Sequence, residues 1–318
     1  MMRSSGPTSR GVISVASHES DRPPSTFADT REPHLPNVVT AIAIKQTTKT
    51  IGAEVSGVGP DALLNDASII ATVTESLEAN GVLVFRGLDL DPEVQVAFCR
   101  RLGEVDYSDG HHPVPGIYRV TRDTSKSSAA EYMKGTFHWH IDGCTPLHGE
   151  PPQKATLLSA KAVADSGGET EFASTYAAYD ALTHTEKERF ASLRVLHSLE
   201  ASQRLVYPNP TPEQVKGWRA RTTSIHPLVW THRSGRKSLL ISAHADRIID
   251  MEAAESRALL DELMDRATKE DLVYRHHWSV GDTVIWDNTG VMHRATPYPA
   301  GSPREMLRTT IFGIEPIQ

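Results

Sequence analysis

A mainly β fold with flanking helices, arranged as a double-sheet jelly roll or cupin-like barrel, is the class the sequence predicts. Short apolar or alternating runs of strand length recur at 82–85, 155–161, 228–230, 238–242, 272–276, 283–286 and 306–314. The helical patterns between them do not alternate regularly with the strands, which argues against a doubly wound parallel sheet and for packed sheets with helical cover. At 318 residues the chain is long enough for one large core. A single domain over residues 39–318 is therefore expected.

Taken in order, residues 1–38 are rich in Ser, Pro, Arg and Thr and hold no apolar run of the kind a signal peptide requires, so a disordered tail is expected. Segments 38–44 and 51–56 read as paired strands. Asp66 can cap a helix whose Ile69, Ile70, Val73 and Leu77 recur at helical spacing, and Gly81 stops it. The run Val82-Leu83-Val84-Phe85 suits a buried strand, after which Pro92 opens a second helix that closes near Gly103. Residues 123–135 are polar and small, end in Lys134-Gly135, and are expected to form a mobile lid. A proline-containing loop then leads to the strand at 155–161, a tight turn at Gly167-Gly168 and a strand carrying Thr170. That glycine pair has neither a GxGxxG pattern nor a Walker lysine, so it is not read as a nucleotide loop. Helices are predicted at 174–182, 185–193 and 253–267, with a loop-rich stretch before 228. No internal repeat is visible.

The formal charge is −7, with 33 basic against 40 acidic residues, so nothing in the balance calls for a nucleic-acid partner. Only two cysteines occur, Cys99 and Cys144, which is too few for a disulfide scaffold or a cysteine zinc cluster. A reducing compartment, the cytoplasm, is expected. No run approaches the roughly 20 apolar residues needed to span a bilayer, so no membrane partner is expected. A homo-oligomer is left open.

Chemistry is concentrated in Trp139-His140-Ile141-Asp142 and, far downstream, in Trp286-Asp287-Asn288 followed by His293. Two imidazoles and one carboxylate on one face of an Fe(II) ion leave positions open for a chelating co-substrate and O2, and this ligand set marks non-haem iron oxygenases. In an extended strand, positions i and i+2 share a face, so His140 and Asp142 are expected to reach one ion together. His138 lies on that same face and could form a His-x-His pair with His140. In a chain with 15 histidines, spacing alone leaves that choice open.

Strung together, the blocks Trp139-His140-Ile141-Asp142, Gly167-Gly168-Glu169-Thr170, Gly281-Asp282-Thr283-Val284-Ile285-Trp286-Asp287-Asn288 and His293-Arg294-Ala295, with Arg304 and Arg308, resemble the TauD/TfdA family of Fe(II)/2-oxoglutarate dioxygenases. The similarity runs from about residue 40 to 313, and Ile51-Gly52-Ala53-Glu54-Val55-Ser56-Gly57-Val58 resembles the family's first strand. The resemblance implies a double-stranded β-helix core, with His140, Asp142 and His293 on iron and His138 set aside. It implies that Thr170 and Arg304 bind the distal carboxylate of 2-oxoglutarate, a task suited to the planar guanidinium fork. It further implies that Arg308 contacts an anionic primary substrate. On one strand Arg304 and Arg308 would share a face roughly 13 Å apart, and two inward arginines need two anions.

The segments from His226 to Trp230, from Ser234 to Ala245 and from Val273 to Trp278 look more like the phenoxyacetate-herbicide dioxygenase branch than the taurine branch. By that likeness His244 is a substrate-binding residue. The loops at 107–134 and 144–152 depart from both branches, leaving His111, His112 and Thr136 as pocket candidates only. The expectation is a dioxygenase that uses Fe(II), 2-oxoglutarate and O2 to hydroxylate a small anionic substrate, an aryloxyalkanoate or related carboxylate. The alternatives are a sulfonate or alkyl-sulfate dioxygenase, and a metal-dependent ligand sensor without turnover.

Overall fold

The computed structural model describes residues 42–318 apart from 109, 111, 128–129 and 146–150. The expected tail at 1–38, His111 and much of the loop after Cys144 lie outside the described residues. The chain opens with β1 (Ala43–Gln46), β2 (Ala53–Ser56), α1 (Pro60–Asn65), α2 (Ala67–Asn80), β3 (Val82–Phe85), α3 (Pro92–Leu102) and β4 (Tyr118–Val120). A 3-10 stretch at Ala130–Phe137 leads to β5 (Gln153–Ala162), β6 (Thr170–Ser174), α4 (Thr175–Asp180), α5 (His184–Phe190) and β7 (Arg194–His197). Then come α6 (Leu199–Val206), α7 (Pro212–Arg219), β8 (Ser224–Pro227), β9 (Val229–Thr231), β10 (Lys237–Leu239), β11 (Ala245–Ile248) and α8 (Ala253–Ala267). Strands β12 (Val273–His276), β13 (Thr283–Asp287), β14 (Val291–Ala295) and β15 (Glu305–Phe312) close the chain.

Local chemistry explains the boundaries that the sequence places correctly. The Asp66 carboxylate accepts from the backbone N–H groups of Ser68 and Ile69 at the start of α2, and Thr183 with Glu186 forms a reciprocal capping box on α5. The stretch before 228, expected to be loop-rich, instead holds β7, α6, α7 and β8. Helices α6 and α7 are eight residues each and bury only Ser202 with Gln203 and Trp218 respectively. Two turns are too little chain to set a helical pattern apart from the polar sequence around it, and such short helices depend on tertiary contacts.

Seven strands form one sheet in the order β1-β2-β3-β13-β5-β15-β4, and three form another in the order β12-β6-β14. Register sorts their side chains, because successive residues of a strand point to opposite faces. Trp286 opposes Val82 and Thr156, while Arg308 opposes Leu158 and Tyr118. Leu83, Phe85, Leu157, Ile285 and Leu307 thus fall on one face and pack with Val73, Leu77, Val96 and Phe98 of the covering helices. Val82, Val84, Leu158, Val284, Trp286 and Met306 fall on the other, in one cluster with Phe172 of β6 and Val291 of β14. Phe172 meets Trp286 with ring centroids 5.4 Å apart, so the two sheets share this layer. Burying each such side chain contributes roughly 1.5–3 kcal/mol. Thr156, Thr170, His293 and Arg308 have the same parity and project into the same space. A third cluster joins Trp139 and Ile141 to the two small sheets β11-β7-β8 and β10-β9 and to α8. No helix among the described residues is long and apolar enough to cross a membrane.

Candidate active site

His140 and His293 are fastened together by the backbone before any side chain is considered. Each donates its N–H to the other's carbonyl at 2.9 Å, in an isolated antiparallel bridge. A hydrogen-bonded pair of this kind holds its Cα atoms about 5.5 Å apart with both side chains on one face, and here the imidazole centroids are 4.2 Å apart. The strand expected to carry the whole His-x-Asp motif is reduced to this single bridge, which follows the 3-10 stretch at Ala130–Phe137. Asp142 and Gly143 form a turn, with Gly143 at φ +68, and this turn rather than strand alternation folds the carboxylate back over the imidazoles. Asp142 Oδ1 lies 3.8 Å from His140 Nε2, and Oδ2 lies 3.8 Å from His293 Nε2. One potential ligand atom from each residue falls within 4.8 Å of the others, the only such group of His, Cys, Asp and Glu among the described residues.

The donor set fits a divalent metal. His140 Nδ1 lies 2.9 Å from the His138 carbonyl, so its N–H belongs on Nδ1 and the Nε2 lone pair faces Asp142. Burial holds His140 and His293 below the usual imidazole range, His293 at about 3, despite the pull of Asp142 toward the charged form. Burial alone would push Asp142 up, but His293, Arg308 and His140 overcome it and hold the carboxyl below its ordinary range. Neutral imidazoles beside an ionised carboxylate are the protonation states that metal binding needs. His138 contributes its carbonyl to His140, while its side chain lines a separate pocket with Arg294 and Arg257.

Two cavities meet at these residues. The inner one, of about 80 Å³, is lined by His140, Asp142, His293, Thr170, Arg304 and Arg308 among others. The outer one, of about 380 Å³, is lined by His140, Asp142, Cys144, Gln203, His244 and Arg308. Only Arg308 among the predicted arginines faces both. Arg304 precedes β15 rather than lying on it, and its Nε donates to the Gly168 carbonyl at 3.2 Å. Its guanidinium sits 5.0 Å from the Tyr298 ring centroid. This close approach requires the glycine turn: Gly168 sits at φ +78, and a Cβ there would lie 3.0 Å from Arg304 Cδ. Arg304 is 3% exposed and no carboxylate pairs with it among the described residues. Arg308 stands 4.0 Å from Asp142 Oδ1 and 4.6 Å from the Tyr118 ring centroid, with its Nε buried and without a hydrogen-bond partner. His244 Nδ1 is likewise buried and unpartnered. Thr136 and Met133 of the 3-10 stretch line both cavities, whereas His112 accepts from the Val114 N–H and lines neither.

Sequence reading missed the residues behind this set. Thr156 donates to Asp142 Oδ2 at 2.8 Å and accepts from Asn288 Nδ2 at 2.9 Å. The indole N–H of Trp278 donates to Thr170 Oγ1 at 3.0 Å. Tyr298 backs Arg304. The Asn288 motif context was visible in the sequence, but nothing local marks Thr156.

A sequence model described as taurine catabolism dioxygenase TauD, TfdA family, matches residues 43–310. The chain is 35% identical over 259 residues to the alpha-ketoglutarate-dependent 2,4-dichlorophenoxyacetate dioxygenase of Burkholderia sp. (strain RASC), covering 77% of this chain and 86% of that one. It is 36% identical over 282 residues to the (S)-phenoxypropionate/alpha-ketoglutarate-dioxygenase of Sphingobium herbicidovorans, covering 86% and 96% of the two chains. The crystal structure of AAD-2 in complex with Mn(II) and N-oxalylglycine superposes with a TM-score of 0.74 at 34% identity, over 87% of this chain and 99% of that one. With the family model matched along most of its length and relatives of this identity, the chain belongs to the TauD/TfdA family, as a dioxygenase that uses Fe(II) and 2-oxoglutarate.

Proposed function

We propose that His140, Asp142 and His293 hold the Fe(II), that Thr170 and Arg304 bind the distal carboxylate of 2-oxoglutarate, and that Arg308 with His244 receives a carboxylate of the primary substrate, an aryloxyalkanoate or related aromatic acid. The observation that carries this reading is the division of the cations. Arg304 lines the inner cavity but not the outer one, whereas Arg308 lines both, so two anions can lie on either side of the ligand triad. When bound, the ion and 2-oxoglutarate supply O2 activation and C–H hydroxylation, with succinate and CO2 as co-products. The chain's own residues bind and orient. Hydroxylation beside an ether oxygen would give a hemiacetal that collapses to a phenol and an oxoacid. The shared apolar layer also supports reading the seven-stranded and three-stranded sheets as the walls of a double-stranded β-helix, within one domain over 39–318.

The unpartnered Nε–H of Arg308, and His244 Nδ1 in the tautomer that carries its proton there, favour a planar carboxylate, which takes the guanidinium fork bidentately and leaves one acceptor site for the imidazole. Aryloxyacetates should therefore support a higher kcat/KM than taurine or an alkyl sulfate under the same iron and 2-oxoglutarate. A tenfold preference for taurine or the sulfate ester would overturn the substrate class and leave the iron chemistry standing. Metal binding without succinate formation for any acid would instead favour the sensor.

Thr156 positions Asp142 in this reading, since its hydroxyl engages Oδ2 and is itself held by Asn288. Removing a hydrogen-bonding group behind a ligand typically costs 10- to 100-fold in metal affinity. Thr156→Val should weaken anaerobic Fe(II) binding by about that factor, and Thr156→Ser should restore it. Equal affinities for parent and Thr156→Val would show that Asp142 needs no such support.

A further inference from the structure

We infer that Trp278 is a positioning residue for 2-oxoglutarate, acting through Thr170, whose place as the co-substrate's anchor is the reading proposed above. Trp278 follows β12 and lines, with Arg304, a surface pocket that none of the metal ligands lines. An indole N–H can only donate. At 3.0 Å from Thr170 Oγ1 it therefore occupies one of that oxygen's acceptor positions. The Thr170 hydroxyl hydrogen has no acceptor among the described residues, although the residue is buried and lines the inner cavity with Arg304. A hydroxyl that already accepts on one side and has nothing to donate to within the chain is set to donate into the cavity. There the acceptor proposed is the distal carboxylate.

The indole is itself held in place. Its ring stands at 85° to that of His276 with centroids 4.4 Å apart. His276 is fully buried, with Nε2 3.3 Å from Asp282 and Nδ1 3.1 Å from the Tyr274 hydroxyl. Arg86 and the Gly87 N–H hold Asp282 from the other side. These contacts fix the direction of the indole N–H, and with it the orientation of the Thr170 hydroxyl. Without them the hydroxyl could rotate, and binding the carboxylate would have to stop that rotation. By donating to Thr170 Oγ1, the indole N–H also polarises the Thr170 O–H and strengthens its hydrogen bond to an anion.

The test is a double-mutant cycle on N-oxalylglycine binding to the full-length Mn(II) protein by calorimetry, which needs no turnover. Thr170→Val should weaken binding by about tenfold, the size of one lost hydrogen bond to a charged group. Trp278→Phe, which keeps an aromatic ring but has no donor, should weaken it by about three- to tenfold. In the Thr170→Val background Trp278→Phe should then have no further effect, whereas in the otherwise unchanged protein, with turnover, Trp278→Phe should raise the KM for 2-oxoglutarate without changing that for the primary substrate. Losses that simply multiply would mean Trp278 acts only as packing and would overturn the inference. If Thr170→Val weakens binding but Trp278→Phe does not, the inference alone fails; if Thr170→Val changes nothing, the anchor reading fails with it. Should Trp278→Phe not fold, labelling the five tryptophans with 15N allows the hydrogen bond to be read in the metal-free parent. One indole N–H resonance should move upfield in Thr170→Val, and an unchanged indole spectrum overturns the proposal.

Discussion

Replacing any one of His140, Asp142 or His293 with Ala should abolish turnover, the largest effect expected of any substitution in this chain. Groups that merely support a ligand are worth 10- to 100-fold in metal affinity, so loss of a ligand itself exceeds that range. The three contribute differently. Asp142 is the only carboxylate of the triad, and its removal takes away the one negative charge facing two imidazoles and Arg308. Either histidine can be lost without disturbing the backbone bridge between them, since that bridge is made by main-chain N–H and carbonyl groups. The variants should therefore fold and fail only at the metal. Anaerobic addition of Fe(II) and 2-oxoglutarate should give the parent a weak visible charge-transfer band that all three variants lack. His138→Ala should keep the band, because the part of His138 that touches His140 is its carbonyl. A band lost in His138→Ala and kept in His140→Ala would show that the ligand set is wrong.

Arg304→Ala should weaken 2-oxoglutarate binding by about 10- to 100-fold, corresponding to roughly 1.5–3 kcal/mol for a hydrogen bond to a charged group. Arg304 is buried against Tyr298 and the Gly168 carbonyl with no carboxylate paired to it among the described residues, and burial presses its pKa down. Guanidinium keeps its proton even so. Glu169 acts on it only from beyond ion-pair distance, and a buried cation so incompletely paired is costly until an anion arrives, which is why the loss should fall on the co-substrate. Arg304→Lys should recover part of the affinity as a point charge without the fork. Arg308→Ala should leave 2-oxoglutarate affinity near the parent value and raise the KM for the primary substrate, and equal effects on both ligands would remove the distinction between the two arginines.

Several features of the fold were legible in the sequence because their causes are local. Val82-Leu83-Val84-Phe85 is wholly buried and reads as such, Asp66 caps the helix that follows it, and the Gly167-Gly168 turn adopts the positive φ values that favour glycine. Helix α1 and the elements from β7 to β8 were not legible. They are short, and helices of six to eight residues give too little chain to tell a helical pattern from chance.

By itself the sequence determined which chemical groups are present, in what order, and where the more apolar strands fall, since strand alternation, capping and turn chemistry act over a few residues. It could not choose between His138 and His140 from spacing, because both occupy the same parity in the chain. That choice follows from the bridge to His293 and from the turn at Asp142–Gly143, which breaks the strand the alternation argument assumed. Only tertiary structure set Thr156 behind Asp142 with Asn288 132 residues away in sequence, and the Trp278 indole against Thr170 across 108 residues. The physical reason is that a hydrogen bond depends on distance and direction in space, and sheet pairing brings together donors and acceptors that no local pattern connects.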